Sequence, residues 1–308
     1  MVSSASAQPY PTKPVRIVVG FSPGGIADVT VRLIAPKLTE QLGQQVIVEN
    51  RPGASGAIAT ERVAASPADG YTLLAPTAAD AVIPVMRAKL PYNLERDLAP
   101  VSLLSVAPFV LVVHPSVPAR NVNELIALAR AQPGKLSYGS VGVGTTPHLS
   151  AEALKVMAGI NILHVPFKGG LDNVIANASG LVDMVCASIP SLMPFIGQGA
   201  QRLRPLAVTS AKRTSLMPAL PSLNESGVSG YDRSSWVGML APAAAPKDII
   251  AKINAALVKV INTAEMKETF TRQGLEAQTN TPEQFAAYIS AQLEQNAKLI
   301  KAIGLKSE

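Results

Sequence analysis

The sequence predicts an α/β protein of two lobes, each a mainly parallel sheet flanked by helices, and three observations point to it. The chain has 308 residues, more than one hydrophobic core usually organises, which suggests lobes of roughly 100–150 residues. Short apolar, β-branched runs alternate with segments whose apolar residues recur every three or four positions, as expected for strands connected by helices. A strand, a glycine-rich turn and a helix also occur in succession twice, as "VRIVVGFSPGGIADVTVRLIAPKL" and as "KLSYGSVGVGTTPHLSAEALKVMAG".

The strand candidates are residues 15–19, 45–48, 71–74, 109–113, 135–138, 162–165, 184–187 and 205–209. In the first helix Ala27, Val31, Ile34, Leu38 and Leu42 share one face, and Gly43 ends it. In the helix after the second turn the predicted buried stripe is Leu149, Ala153, Val156 and Met157. Ile250, Ile253, Leu257 and Ile261 form a further stripe, and Thr281-Pro282-Glu283-Gln284 carries a capping box that opens the last helix. The expected division is residues 1–7 as leader remnant or disordered, 8–107 as the first part of lobe 1, 108–231 as lobe 2, and 232–308 as the return to lobe 1. "PFVLVVHP" from Pro108 and "SSWVGMLAP" are the two expected crossings, with Trp236 in the hinge core.

At 48% hydrophobic and 16% charged, with no apolar run of membrane-spanning length, the composition is that of a globular chain not embedded in a membrane. Ala5-Ser6-Ala7 fits the small-x-small pattern at the end of a secretory leader. The single cysteine, Cys186, excludes an internal disulfide and any cysteine-based zinc cluster, and reads as a small buried hydrophobe. The net charge is +6, yet the basic residues are scattered and only 4% are aromatic, so nucleic acid is not the expected partner. A small anionic solute is, since a positive potential concentrates it near the protein.

The two turns point the same way. Glycines leave backbone N–H groups unshielded, and the following helix directs its unpaired N–H groups and positive dipole end at the same spot. Neither turn matches a nucleotide fingerprint: no lysine follows Gly144 as in a P-loop, and Gly24-Gly25 does not give G-x-G-x-x-G spacing. One glycine-rich turn is ordinary turn chemistry, but a pair, one per lobe, can hold both ends of a dicarboxylate, or a carboxylate and a polar group. No metal-ligand spacing joins His114, His148 and His164, and neither a nucleophile with its base nor paired carboxylates form a motif. No cofactor is expected.

The segments "GFSPGGIAD", "VIVENRPGASG", "DGYTLL", "KLPYN", "RDLAPVSLL", "LVVHPSVPA", "PGKLSYGS", "HVPFKGG", "LAVTSAKR" and "SSWVGMLAPAAAPKDII" resemble, in order and spacing from Pro11 onward, the Bug-type solute receptors of tripartite tricarboxylate transporters. The resemblance implies a two-lobed periplasmic-binding-protein fold of the Venus-flytrap, type II kind. It implies a secreted periplasmic receptor, expected to be a monomer, that closes over a small carboxylate and delivers it to a membrane permease.

Carried over residue by residue, it implies ligand contacts from Ser22, Gly24, Gly25, Ala27 and Asp28 in the first turn, and from Ser140, Gly142, Gly144, Thr145, Thr146 and His148 in the second. Thr77 and Ala78, Gly169 beside Lys168, and Ser188 complete the set. Asp28 reads as an N-cap that accepts the N–H of Val31 or a neighbour, with recognition of a ligand amino group as the sharper alternative. The sequence departs from the family at Cys186, Ala187 and Ser188, where relatives often show an aromatic residue, an aspartate and an asparagine, and at Ile26, Ile83 and Asp172. These changes make the pocket edge smaller and less negative and favour a bulkier, partly apolar acid. Two other readings stay open: a receptor that signals through a partner, and a hydrolase on the same scaffold using Ser140 or Thr145 with His148.

Overall fold

The computed structural model describes residues 10–87, 89–167, 169–196 and 202–305. Ala5-Ser6-Ala7 and Lys168 therefore lie outside the described residues. The strands are β1 (Val15–Val19), β2 (Val46–Asn50), β3 (Thr72–Ala75), β4 (Leu98–Ala107), β5 (Phe109–Val113), β6 (Ser137–Ser140), β7 (Leu163–Pro166), β8 (Met184–Ser188), β9 (Arg204–Val208), β10 (Ser235–Pro242) and β11 (Glu276–Ala277). The helices are α1 (Ile26–Leu42), α2 (Ala57–Ala64), α3 (Ile83–Met86), α4 (Val122–Ala131), α5 (Thr146–Ala158), α6 (Gly170–Ala178), α7 (Ile189–Ile196), α8 (Lys247–Ile261), α9 (Ala264–Arg272) and α10 (Pro282–Ala302). Ala54–Gly56 and Ala78–Ala81 are single 3-10 turns.

Two compact units form. Among the described residues, one lies within 1–105, 237–269 and 277–292, the other within 106–236, 270–276 and 293–308. The first is built on a six-stranded sheet of order β11-β4-β10-β3-β1-β2, in which β1 runs parallel to both β2 and β3, and β10 antiparallel to β3. The second has a five-stranded sheet of order β7-β6-β8-β5-β9, where β6 runs parallel to β7 and β8 while β5 is antiparallel to its two neighbours. Each Gly-rich turn thus leaves the carboxyl end of a strand flanked by parallel neighbours, where helix starts gather.

Helix α1 forms much as its spacing requires: Ala27, Val31, Ile34 and Leu38 are buried, while Leu42 at its end is only half-buried. Gly43 in the left-handed conformation ends it, with its N–H donated to the Thr39 carbonyl. The α8 stripe of Ile250, Ile253, Leu257 and Ile261 is buried as well. The capping box of α10 is made in both directions: Gln284 N–H donates to Thr281 Oγ1 at 3.2 Å and Thr281 N–H to Gln284 Oε1 at 3.1 Å.

The stripe predicted for α5 needs correction, because Val156 is 45% and Met157 44% exposed. The buried row includes His148 and Glu152, one turn apart, and Glu152 is covered by the Tyr138 hydroxyl and Lys155. A satisfied polar row on the inner face displaces the apolar positions that spacing alone assigned there. Cys186 lies buried in β8, and burial pushes its thiol up to about 12, as befits a small packing residue.

Candidate functional site

The turn after β1 begins at Gly20 and ends at Gly25, which is the N-cap of α1 in extended conformation without a side-chain cap. Gly24 has φ of +85°, a conformation that other residues adopt at a cost. The first carbonyl the helix uses is that of Gly25, which accepts from Val29 N–H at 2.9 Å. The N–H groups of Ile26 and Ala27 precede any intrahelical acceptor.

Asp28 is not the N-cap, and this corrects the expected role. It is the third helical residue, so its side chain reaches backward: Oδ2 accepts the Gly24 N–H at 2.9 Å. Oδ1 accepts Arg32 Nε at 2.8 Å and Asn50 Nδ2 at 2.9 Å. Asn50 in turn donates to the Phe21 carbonyl at 3.0 Å and accepts from Arg32 Nη2 at 2.8 Å. Burial pushes the Asp28 carboxyl upward, but the bonds from Gly24, Asn50 and Arg32 outweigh it and hold the group below the ordinary carboxylate range.

The turn after β6 has the same plan in other residues. Thr145 is the N-cap of α5, with φ −73° and ψ 158° against −74° and 167° at Gly25. Gly144 has φ of +79°. Its N–H donates to Nδ1 of His148, again four residues on, at 3.2 Å. An acceptor Nδ1 carries no proton, so His148 is neutral with its hydrogen on Nε2. Burial and the neighbouring His164 push its pKa down to about 4. Pro147 occupies the first turn of α5 and has no N–H, which leaves Thr146 and His148 as the donors at this helix start.

Beneath the second turn lies a stack of rings. Tyr138 and His164 are 4.8 Å apart between centroids, and His164 and His148 are 4.5 Å apart. His164 Nε2 lies 2.7 Å from Ser140 Oγ, and Ser140 Oγ accepts the Gly142 N–H at 3.1 Å. Ser140 is therefore paired with His164 and not with His148, and it is fully buried. Thr145 Oγ1 donates to the Gly142 carbonyl at 2.7 Å. Neither hydroxyl is paired with His148 as the hydrolase reading requires, and Ser140 exposes no surface to a reacting group. Gly139 belongs to β6: a Cβ there would come within 2.0 Å of Asn173 Oδ1, so this glycine serves packing and not ligand access.

Thr77 and Ala78 follow β3. Thr77 caps the 3-10 turn reciprocally with Asp80, whose Oδ2 accepts the Thr77 N–H at 2.8 Å while Oδ1 accepts the Thr60 hydroxyl at 2.9 Å. Burial raises the Asp80 carboxyl to about 6. Beside it, Ala54 and Ser55 take φ of 48° and 56° between two glycines that are also positive, a left-handed turn after β2 that costs about 1–2 kcal/mol at each non-glycine residue. In the second unit, Gly169 is the N-cap of α6, and Ser188 at the end of β8 donates its hydroxyl to Ser191 Oγ at 2.9 Å.

The structure brings Gly24, Gly25, Ala27 and Asp28 into one turn, and Gly142, Gly144, Thr145, Thr146 and His148 into another. Sequence reasoning missed Asn50, Arg32 and Asp80 in the first unit and Tyr138, Glu152 and His164 in the second. Two of these had a local signal: the four-residue spacing of Asp28 and Arg32, and the T-x-x-D pattern from Thr77 to Asp80. Among the described residues, no group of three or more His, Cys, Asp or Glu side chains is arranged to hold a metal, and no helix is long and apolar enough to cross a membrane.

A family model described as the tripartite tricarboxylate transporter family receptor matches residues 30–305. Protein BugT of Bordetella pertussis is 33% identical over 308 residues, which cover 99% of this chain and 94% of BugT. An R. palustris protein solved with adipate aligns at a TM-score of 0.77 and 34% identity, over 96% of this chain and 98% of its own. MatC from Rhodopseudomonas palustris with bound malate aligns at a TM-score of 0.73 and 26% identity, over 94% of this chain and 100% of its own.

Proposed function

The chain belongs to the tripartite tricarboxylate transporter receptor family, and on that premise we propose that it captures a small mono- or dicarboxylic acid, aromatic acids included, through backbone amides. It delivers that acid in the periplasm to the permease of such a transporter. The family is one of solute receptors, not enzymes.

One observation carries this reading: two helix starts, one in each unit, are preceded by turns of matching geometry that leave donors without acceptors. At α1 these are the N–H groups of Ile26 and Ala27, and at α5 those of Thr146 and His148. Each aims a positive dipole end at the same place as its N–H groups, the arrangement an oxyanion needs. A charge-assisted bond to a carboxylate contributes roughly 1.5–3 kcal/mol. Adipate and malate, held by two related proteins, are both dicarboxylates.

A thermal-shift screen over mono-, di- and tricarboxylates tests the proposal, because a ligand present at about 100 times its Kd stabilises the native state by about 2.7 kcal/mol. At least one acid raises Tm, and calorimetry then shows saturable binding with one site. A Tm raised by neutral solutes but by none of the acids rejects the reading.

A further inference from the structure

We propose that this receptor takes carboxylic acids without an ammonium group and rejects the corresponding α-amino acids. The inference rests on the carboxylate-receptor reading above and names the substrate class within it. An α-ammonium brings three N–H donors that need acceptors once water is removed, and a carboxylate is the usual partner.

The carboxylate at the start of α1 is Asp28, and three N–H donors already occupy it. Oδ1 receives Arg32 Nε at 2.8 Å and Asn50 Nδ2 at 2.9 Å, and Oδ2 receives Gly24 N–H at 2.9 Å. Only 3% of the residue is exposed, and the Arg32 guanidinium already balances its charge. At the start of α5 the matching position holds His148, whose acceptor nitrogen is taken by Gly144 N–H.

Two further buried carboxylates, one in each unit, also carry donors. Asp80, 2% exposed, receives Thr77 N–H and the Thr60 hydroxyl. Glu152, 7% exposed, receives the Tyr138 hydroxyl and the Lys155 ammonium, both on Oε1, and Lys155 balances its charge. Asp172, in the first turn of α6, is the exposed exception. An ammonium brought to either helix start would lose water, find an occupied acceptor, and face N–H donors and a positive dipole end. A plain carboxylate gains from both.

Calorimetry on the full chain with matched pairs tests this: succinate against aspartate, glutarate against glutamate, adipate against 2-aminoadipate. In every pair where the plain acid binds, the amino acid is expected to bind at least about 100-fold more weakly. An amino acid binding as tightly as its plain counterpart overturns the inference and leaves the receptor reading standing. Failure of all six compounds to bind overturns the receptor reading for aliphatic acids, and the inference falls with it.

Two variants assign the cause. Arg32→Gln uncovers Oδ1 of Asp28 and narrows the gap within a pair several-fold, whereas Asp172→Asn leaves the gap unchanged. A gap that ignores Arg32→Gln, in protein with an unaltered melting curve, overturns the assignment to Asp28.

Discussion

In the turn before α1 a glycine N–H is held by a carboxylate four residues on, whereas in the turn before α5 the corresponding N–H is held by a neutral imidazole. The backbone outcome is nearly the same, with N-caps in closely similar conformations and a left-handed glycine before each. The surroundings differ because the two acceptors make different demands. A buried carboxylate needs compensation, and Asp28 receives it from Arg32 and Asn50. A neutral imidazole needs none, and His148 is positioned by packing against His164 and Tyr138. What both turns preserve is a helix start whose positive dipole end is not cancelled by a free carboxylate, the property on which the proposed capture of an anion rests.

Removing the left-handed glycines breaks both turns at once and has the largest expected effect. Valine at Gly24 or Gly144 places a β-branched side chain at φ of +85° or +79°, a cost of about 1–2 kcal/mol before any effect on ligand. At Gly24 no atom lies within 4 Å of the added Cβ, so the loss there comes from backbone conformation alone. Each variant is expected to bind at least about 100-fold more weakly by calorimetry on folded protein. Unchanged affinity in both separates the turns from binding altogether.

Asymmetry between the acceptors comes next. Asp28→Ala strands Gly24, Arg32 and Asn50 together and is expected to destabilise the fold by about 2–4 kcal/mol, against about 1–2 kcal/mol for His148→Ala. Urea unfolding of the two variants measures this, and equal losses would mean that charge compensation does not distinguish the turns.

Acidification sharpens the comparison with a smaller effect. His148 has a folded pKa of about 4 against an ordinary 6.5, so the unfolded chain binds more protons between these values. Its contribution is full above 6.5 and is lost as pH falls toward 4. Asp28 is shifted below its ordinary 3.8, so its contribution is lost only at lower pH. The second turn therefore gives way first: protection of the Gly144 amide, taken relative to intrinsic exchange at the same pH, falls between about pH 6 and 4 while that of Gly24 is kept. His148→Gln retains an acceptor without titrating and removes that pH dependence, with a Tm change of about 2–4 °C at neutral pH.

Much of this architecture was legible because it is locally encoded. Strands β1 and β5 match their predicted residues, and the Gly43 stop and the Thr281 capping box form as written. Strands β4 and β10 were not read. Every β10 residue after Ser235 is buried, so no polar alternation marks it, and Pro100 interrupts the pattern of β4.

The turns themselves were visible as glycine, but what holds them was visible only in part. Asn50 reaches Asp28 because the parallel register sets it opposite Val19. His164 reaches His148 because β7 pairs with β6. Both contacts follow from strand order, which residue spacing does not specify. The role of Asp28 was misread for a simpler reason: the helix begins at Ile26, so an aspartate two residues later is placed to reach back, not to cap.

The most direct measurement is a crystal structure of the receptor with a bound dicarboxylate such as succinate or adipate. The expected result is carboxylate oxygens within about 3 Å of the N–H groups of Ile26 or Ala27, or of Thr146, with Asp28 and His148 still bonded to Gly24 and Gly144. A ligand held by side chains elsewhere, with those N–H groups facing solvent, contradicts the account.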